Sequence, residues 1–159
     1  EMCIRDSCHG GVRGSIPRRT ATYVMNTMIL TLLILCYSLV LGIIFAQVLL
    51  TAPVVFKVLD SQNASKFLRK VFPRYYLLLF LITLVALLIS FLFFKKLDVY
   101  MASVAAVFAI LGYLIIPITN SARDRGWDKL FKWLHNFSVF NTLVIMIIAI
   151  IQIFRVTTL

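Results

Sequence analysis

The chain has 159 residues, of which 62% are hydrophobic, and its formal net charge is +10. An ordinary soluble domain is about 45–50% apolar, so this composition excludes one and indicates an integral membrane protein. The basic residues lie between long apolar blocks. Anionic lipid headgroups are therefore the expected partner, and nucleic acid is not.

Residues 1–24 differ from the rest of the chain because they are polar and basic. The opening residues, Glu1 to Ser7, resemble translated sequencing-adapter read-through. The natural start would then be Met25 or Met28, and the alternative is a genuine disordered basic arm. We interpret residues 25–159 as a single membrane domain and draw no functional inference from residues 1–24.

Four uncharged apolar blocks are long enough to cross a membrane. A helix needs roughly 20 apolar residues to span a hydrocarbon core of about 30 Å, and continuous blocks favour helices over barrel strands. We place the spans at about residues 28–51, 75–94, 99–118 and 136–154. Pro53 is expected to end the first span and Pro117 the third, because proline interrupts helical hydrogen bonding. The predicted fold class is all-α, a four-helix transmembrane bundle.

Loops one and three are predicted to contain short amphipathic helices at the membrane interface. Apolar side chains recur at helical spacing in residues 61–72, with basic residues on the other faces. Residues 127–134 repeat this pattern and are expected to run into the fourth span. These loops carry nine Lys and Arg residues, against three on the other side beyond residue 24. The positive-inside rule therefore places both loops in the cytoplasm and both termini outside, as in a bacterial inner membrane.

Small residues at helical spacing mark two helix faces that allow close backbone approach. The first span carries Ser38, Gly42 and Ala46, and the third carries Ala102, Ala105, Ala109 and Gly112. Intramolecular packing is the leading interpretation of both faces. Homodimerisation is the alternative.

No Asp, Glu, Lys, Arg or His lies in the middle of any span. Proton relays and ion-coupled transporters usually keep such a group at membrane depth, so a pump or secondary transporter built from one chain is not expected. Polar residues near the span ends, such as Gln47 and Asn141, are expected to face the bundle and to form hydrogen bonds between helices. The alternative is a small-solute permeation path, lined by these two residues in an oligomer.

His135 lies where loop three meets the fourth span and is the one histidine beyond residue 24. A lone interfacial histidine is more typical of a hydrogen-bonding anchor than of a ligand. The sequence contains no catalytic triad, phosphate-binding glycine loop or paired carboxylates. No enzymatic activity, cofactor or metal is therefore predicted. The alternative is a haem- or metal-associated redox or metal-handling protein that uses His135.

The turn at residues 120–126 combines an asparagine, two arginines and an aspartate. Asn120 and Asp124 are suited to capping helix ends, and Arg123 is suited to pairing with a nearby carboxylate. The leading interpretation is a capped, solvated turn. The functional alternative is a site for a lipid headgroup or another small anion.

A series of short patterns gives a resemblance to a known family. They are G-x-x-F-A at 42–46, A-P-V-V-F at 52–56, V-F-P-x-Y-Y at 71–76, N-x-x-R-D at 120–124 and F-x-x-L-H-x-x-S-x-x-N at 131–141. In this order they resemble the transmembrane-protein-205-like family (domain-of-unknown-function family 4149). The resemblance implies a four-helix membrane protein with no established enzymatic activity, which favours a structural or transport-accessory role. The matching positions to be tested are Pro53, Phe56, Phe72, Pro73, Asn120, Asp124, His135 and Asn141.

Overall fold

The computed structural model describes residues 18–158, with side chains from residue 24 onward. Its helices are α1 (Arg18–Phe45), α2 (Ala52–Val58), α3 (Ser61–Phe93), α4 (Lys96–Asp124) and α5 (Asp128–Thr157). A π-helical turn, Ala46–Thr51, joins α1 to α2. The described part of the chain contains no strand, so the predicted all-α class is confirmed. The interpretation of residues 1–24 falls largely outside the described residues.

Four helical segments are long and apolar enough to cross a membrane. They cover Val24–Val58, Ser61–Phe93, Lys96–Asp124 and Asp128–Thr157. The shortest has 29 residues, which corresponds to about 43 Å at 1.5 Å per residue. Each segment is therefore longer than the hydrocarbon core of about 30 Å and longer than the span predicted for it. The chain is a multi-pass membrane protein.

The prolines do not end the helices as predicted. At Pro53 the chain stays helical because the preceding turn widens: the Ala52 N–H donates to the Gln47 carbonyl, five residues back. Pro53 then occupies the first turn of α2, where a missing N–H costs least. Pro73 and Pro117 lie inside α3 and α4. Neighbouring helices hold such segments in place in spite of the lost hydrogen bond.

Neither predicted interfacial helix is a separate element, which was expected for residues 127–134 but not for residues 61–72. Residues 61–72 form the first turns of α3, and residues 128–134 form the first turns of α5. A helix at the membrane interface would place the apolar side of residues 61–72 in lipid, but the centre of that side is buried in the protein. Ala64 and Leu68 are buried against Val55 of α2, because the tight turn between Val58 and Ser61 brings α2 and α3 side by side.

Close helix packing in the bundle depends on the small residues of α4. Ala102, Ala105, Ala109 and Gly112 are all buried, and α4 contacts both α3 and α5. The ring of Tyr76 on α3 lies so close to Gly112 that a Cβ atom there would overlap it. A glycine at this position lets α3 and α4 approach each other.

The matching stripe on α1 has the opposite orientation. Ser38, Gly42 and Ala46 are exposed on the outside of the bundle, and a Cβ built on Gly42 would meet no atom within 4 Å. Packing inside the chain therefore does not account for this stripe. The core-facing side of α1 is instead formed by the bulky residues Leu33, Tyr37, Val40 and Ile44.

Candidate functional site

A groove of about 220 Å³ opens at the end of the bundle that carries the two basic loops. We call this end, residues 52–74 and 119–135, the basic end, and the cavity the basic-end groove. Four helices, α2 to α5, contribute to its lining. Apolar side chains line one part of it, including Leu68, Phe72 and Ile116, and polar side chains line the rest, including Asn120 and Arg123.

An ion pair between α3 and the end of α4 borders the groove. Arg69 donates from Nη1 to Asp124 Oδ2 at 2.9 Å and from Nη2 to Asp124 Oδ1. This two-pronged geometry holds the guanidinium in one orientation. Because both side chains are partly exposed, the pair adds little stability by itself. Its main effect is that Asp124 neutralises the charge of Arg69.

Arg123 and His135 both lie against the ring of Phe131 at the groove. The Arg123 guanidinium lies 5.7 Å from the centre of the Phe131 ring, and the His135 ring stacks on the same ring at 6.1 Å between centroids. A cation over an aromatic face is attracted by the ring's quadrupole. Among the residues that the structure describes, Arg123 has no carboxylate ion-pair partner. Its positive charge is thus available to an anion in the groove.

Hydrogen bonds between α3 and α5 hold the inner wall of the groove. The Tyr76 hydroxyl donates to the Ser138 carbonyl at 3.1 Å and lies 3.0 Å from the Thr142 hydroxyl. Asn141, which is fully buried, donates from Nδ2 to the Phe108 carbonyl of α4 at 2.8 Å. These bonds fix α5, and with it His135, relative to α3 and α4.

The structure brings together half of the eight positions that carry the family resemblance. Phe56, Phe72, Asn120 and His135 line the groove. Asp124 borders it through Arg69, whereas Asn141 lies deeper in the bundle. The two remaining positions, Pro53 and Pro73, do not line the groove. They lie in the first turn of α2 and inside α3.

A second polar cluster lies at the opposite end of the bundle, and the burial of Asp98 within it was not predicted. Arg155 donates from Nε and from Nη2 to Asp98 Oδ1, each at 3.2 Å. Gln152 Nε2 lies 3.3 Å from the Asp98 carbonyl oxygen and 3.4 Å from the Tyr37 hydroxyl. Together with Ser90 we call these residues the Asp98 cluster. In the sequence, Asp98 follows two lysines and looks like an interfacial charge, so only its burial in the fold distinguishes it.

An apolar layer separates the two polar regions. Leu79 and Ile145 are fully buried, and Ala86 and Ala149 are 1% exposed. A permeation path would therefore have to run between chains of an oligomer, and this alternative stays a prediction.

His135 is the candidate ligand for a haem or a metal. Within residues 24–158, no group of three or more His, Cys, Asp or Glu side chains is arranged to hold a metal ion. His135 would be a lone protein ligand at the groove, stacked on Phe131. The haem or metal alternative also stays a prediction.

Comparison with known proteins identifies a family but no characterised relative. A search of curated proteins and a search of solved structures each find no match. A family model described as Domain of unknown function (DUF4149) matches residues 35–128. The match covers more than half of the chain and includes Phe56, Phe72, Asn120 and Asp124, while His135 and Asn141 lie beyond it. The chain therefore belongs to the DUF4149 family.

Proposed function

We propose that this chain is a non-enzymatic membrane protein with a structural or transport-accessory role, and that its basic-end groove binds an anionic phospholipid. The observation that carries the proposal is the position of Arg123. Its guanidinium lies over Phe131 with no carboxylate ion-pair partner among the described residues, beside an apolar groove. A phosphate would meet this charge while the first carbons of the lipid contact the apolar lining.

The electrostatics of the basic end support an anionic ligand. This end carries nine Lys and Arg residues and three Asp residues. Each basic residue near an anionic membrane surface contributes about 1 kcal/mol of attraction. The charge thus concentrates anionic lipid around the groove, and Arg123 provides a specific contact within it.

The size of the groove limits what it accepts. Its volume of about 220 Å³ lies below the range of roughly 300–1,000 Å³ typical of pockets that enclose a drug-sized ligand. A phosphate headgroup with its first carbons is therefore a better fit than a whole cofactor. The acyl chains would continue along the outside of the bundle, where the exposed side chains are apolar.

Lipid retention in detergent tests this proposal. We expect purified protein in mixed micelles to retain phosphatidylglycerol in preference to phosphatidylcholine, as measured by native mass spectrometry. Arg123→Gln should weaken phosphatidylglycerol binding roughly ten- to a hundredfold, since a charge-assisted contact contributes about 1.5–3 kcal/mol. Raising the salt concentration should reduce the preference, because screening weakens attraction between charges.

Arg125→Gln is the matched control for this experiment. Arg125 carries the same charge two residues away but lies over Trp127, at 5.0 Å from the ring centre, outside the groove. Binding should therefore change little in this variant. Equal retention of both lipids by the wild type, or equal losses in the two variants, would contradict the proposed site.

The orientation in the membrane is part of the same proposal. We place the protein in a bacterial inner membrane with the basic end in the cytoplasm and both termini outside, following the distribution of Lys and Arg. In a background without the natural cysteines, an impermeant maleimide added to intact cells whose outer membrane admits it should label Thr158→Cys. Lys129→Cys should react only after the inner membrane is permeabilised. The reverse pattern would show that the orientation is wrong.

Two finer assignments are also proposed. The patterns at residues 42–76 and 120–141 support placing the chain within the transmembrane-protein-205-like group. The exposed stripe of Ser38, Gly42 and Ala46 supports a homo-oligomer, because it offers a small-residue face that no helix of the same chain covers.

A further inference from the structure

The Asp98 cluster joins all four membrane-crossing segments at the end opposite the groove. Tyr37 lies on α1, Ser90 in the last turn of α3, Asp98 in the first turn of α4, and Gln152 and Arg155 at the end of α5. Asp98, Ser90 and Gln152 are fully buried, and Tyr37 is 1% exposed. Polar groups brought from four helices to one buried place need a complete set of hydrogen bonds.

The hydrogen bonds within the cluster are incomplete. Asp98 Oδ2, Gln152 Oε1 and Ser90 Oγ are buried and have no hydrogen-bond partner among the described residues. Two of the three are oxygens that only accept, so each needs a donor. The N–H groups that bond within the cluster point elsewhere: those of Arg155 point at Asp98 Oδ1, and Gln152 Nε2 points at the Asp98 carbonyl and the Tyr37 hydroxyl.

The side chains concerned lie next to one another. Gln152 Nε2 is within 3.4 Å of both Tyr37 and the Asp98 backbone, and the Ser90 hydroxyl lies near that of Tyr37 without the geometry of a hydrogen bond to it. Ser90 and Asp98 also follow each other across the short link between α3 and α4. Tyr37, Ser90 and Gln152 thus lie together, with the Asp98 backbone beside them.

We propose that the Asp98 cluster binds one internal water molecule. The water donates one hydrogen to Asp98 Oδ2 and the other to Gln152 Oε1, and it accepts the Ser90 hydroxyl hydrogen. Three hydrogen bonds are the usual number for a buried water in a protein. This single molecule satisfies every unpartnered atom of the cluster.

The charge of the cluster favours water over a metal cation. Arg155 already neutralises the Asp98 carboxylate. A cation bound to Asp98 Oδ2 would add a second positive charge near the guanidinium, in a region with little solvent to screen it. A neutral donor satisfies the same oxygens without adding charge.

Hydroxyl-radical footprinting tests the proposal. A millisecond X-ray pulse generates radicals from water in place, so a buried side chain is modified quickly only when a water lies beside it. We expect rapid modification of Tyr37 in the wild-type protein, read by tandem mass spectrometry. The double variant Gln152→Met/Ser90→Ala removes two partners of the water and should reduce Tyr37 modification several-fold.

Thr83→Ala is the control variant. Thr83 is also on α3 and 1% exposed, but its hydroxyl donates only within its own helix, to Leu79 and Phe80. It should leave Tyr37 modification unchanged. If Tyr37 in the wild-type protein is modified no faster than background, the proposal is wrong. This measurement does not require any variant to fold. Equal modification in the wild type and the double variant would also overturn the proposal.

Discussion

Arg155→Met is expected to lower the free energy of unfolding by about 3–5 kcal/mol, the usual cost of leaving one member of a buried ion pair without its partner. The variant keeps the length of the side chain but removes both donors to Asp98 Oδ1. Asp98 is fully buried, so bulk solvent cannot replace them without opening the helix ends. SDS titration of the protein in mixed micelles, followed by fluorescence of Trp127 and Trp133, measures this loss.

The reciprocal variant, Asp98→Asn, is expected to cost less. This variant leaves the charge of Arg155 without a partner, but the Arg155 side chain is 33% exposed and can turn its charged end towards the membrane surface. The double variant Asp98→Asn/Arg155→Met should be more stable than Arg155→Met alone, because it contains no unpaired buried charge. A double variant that is no more stable than Arg155→Met would show that the two charges do not interact.

Gly112→Ala is expected to destabilise the bundle by about 1–3 kcal/mol, the usual cost of adding a methyl group to a filled core. The new Cβ would overlap the Tyr76 ring. That ring has little freedom to move, because its hydroxyl is held by Ser138 and Thr142. The same SDS titration gives the change, and displacement of Tyr76 should also weaken lipid binding, since Tyr76 lines the groove.

Gly42→Ala is the matched control for this substitution. It adds the same atom to a transmembrane helix at a position where nothing lies within 4 Å. Alanine favours a helix over glycine by about 1 kcal/mol, so this variant should be as stable as the wild type or slightly more stable. Equal destabilisation by the two variants would show that Gly112 has no special packing role.

Gly42→Leu tests whether the exposed stripe of Ser38, Gly42 and Ala46 forms a homo-oligomer. Loss of a crosslinked dimer without loss of stability would assign the stripe to an interface between two copies of the chain.

The four membrane-crossing helices could be predicted because they depend on the length and hydrophobicity of each block alone. Each of the four apolar blocks is about long enough to cross the hydrocarbon core, and a backbone in lipid must satisfy its own hydrogen bonds. The prolines show the limit of local reasoning. Pro53 and Pro117 were expected to end their helices, but a widened turn or the packing of neighbouring helices keeps the chain helical through both of them.

The small-residue stripes show why packing could not be assigned from the pattern alone. Gly42 and Gly112 lie in similar stripes, yet one glycine is exposed and the other is pressed against Tyr76. Which face of a helix meets its neighbours depends on how all four helices cross, and hydrophobicity does not reveal this when lipid and protein interior are equally apolar.

The sequence by itself determined the membrane location, the number of crossing segments and the surplus of basic charge at one end. Only the tertiary structure decided which charges pair: Arg69 meets Asp124 across 55 positions, and Asp98 meets Arg155 across 57. It also decided that Phe56, Phe72, Asn120 and His135 share one groove. The physical reason is that helix formation requires contacts only four residues apart, whereas ion pairs and grooves form between side chains that are distant in sequence and meet only when the helices pack.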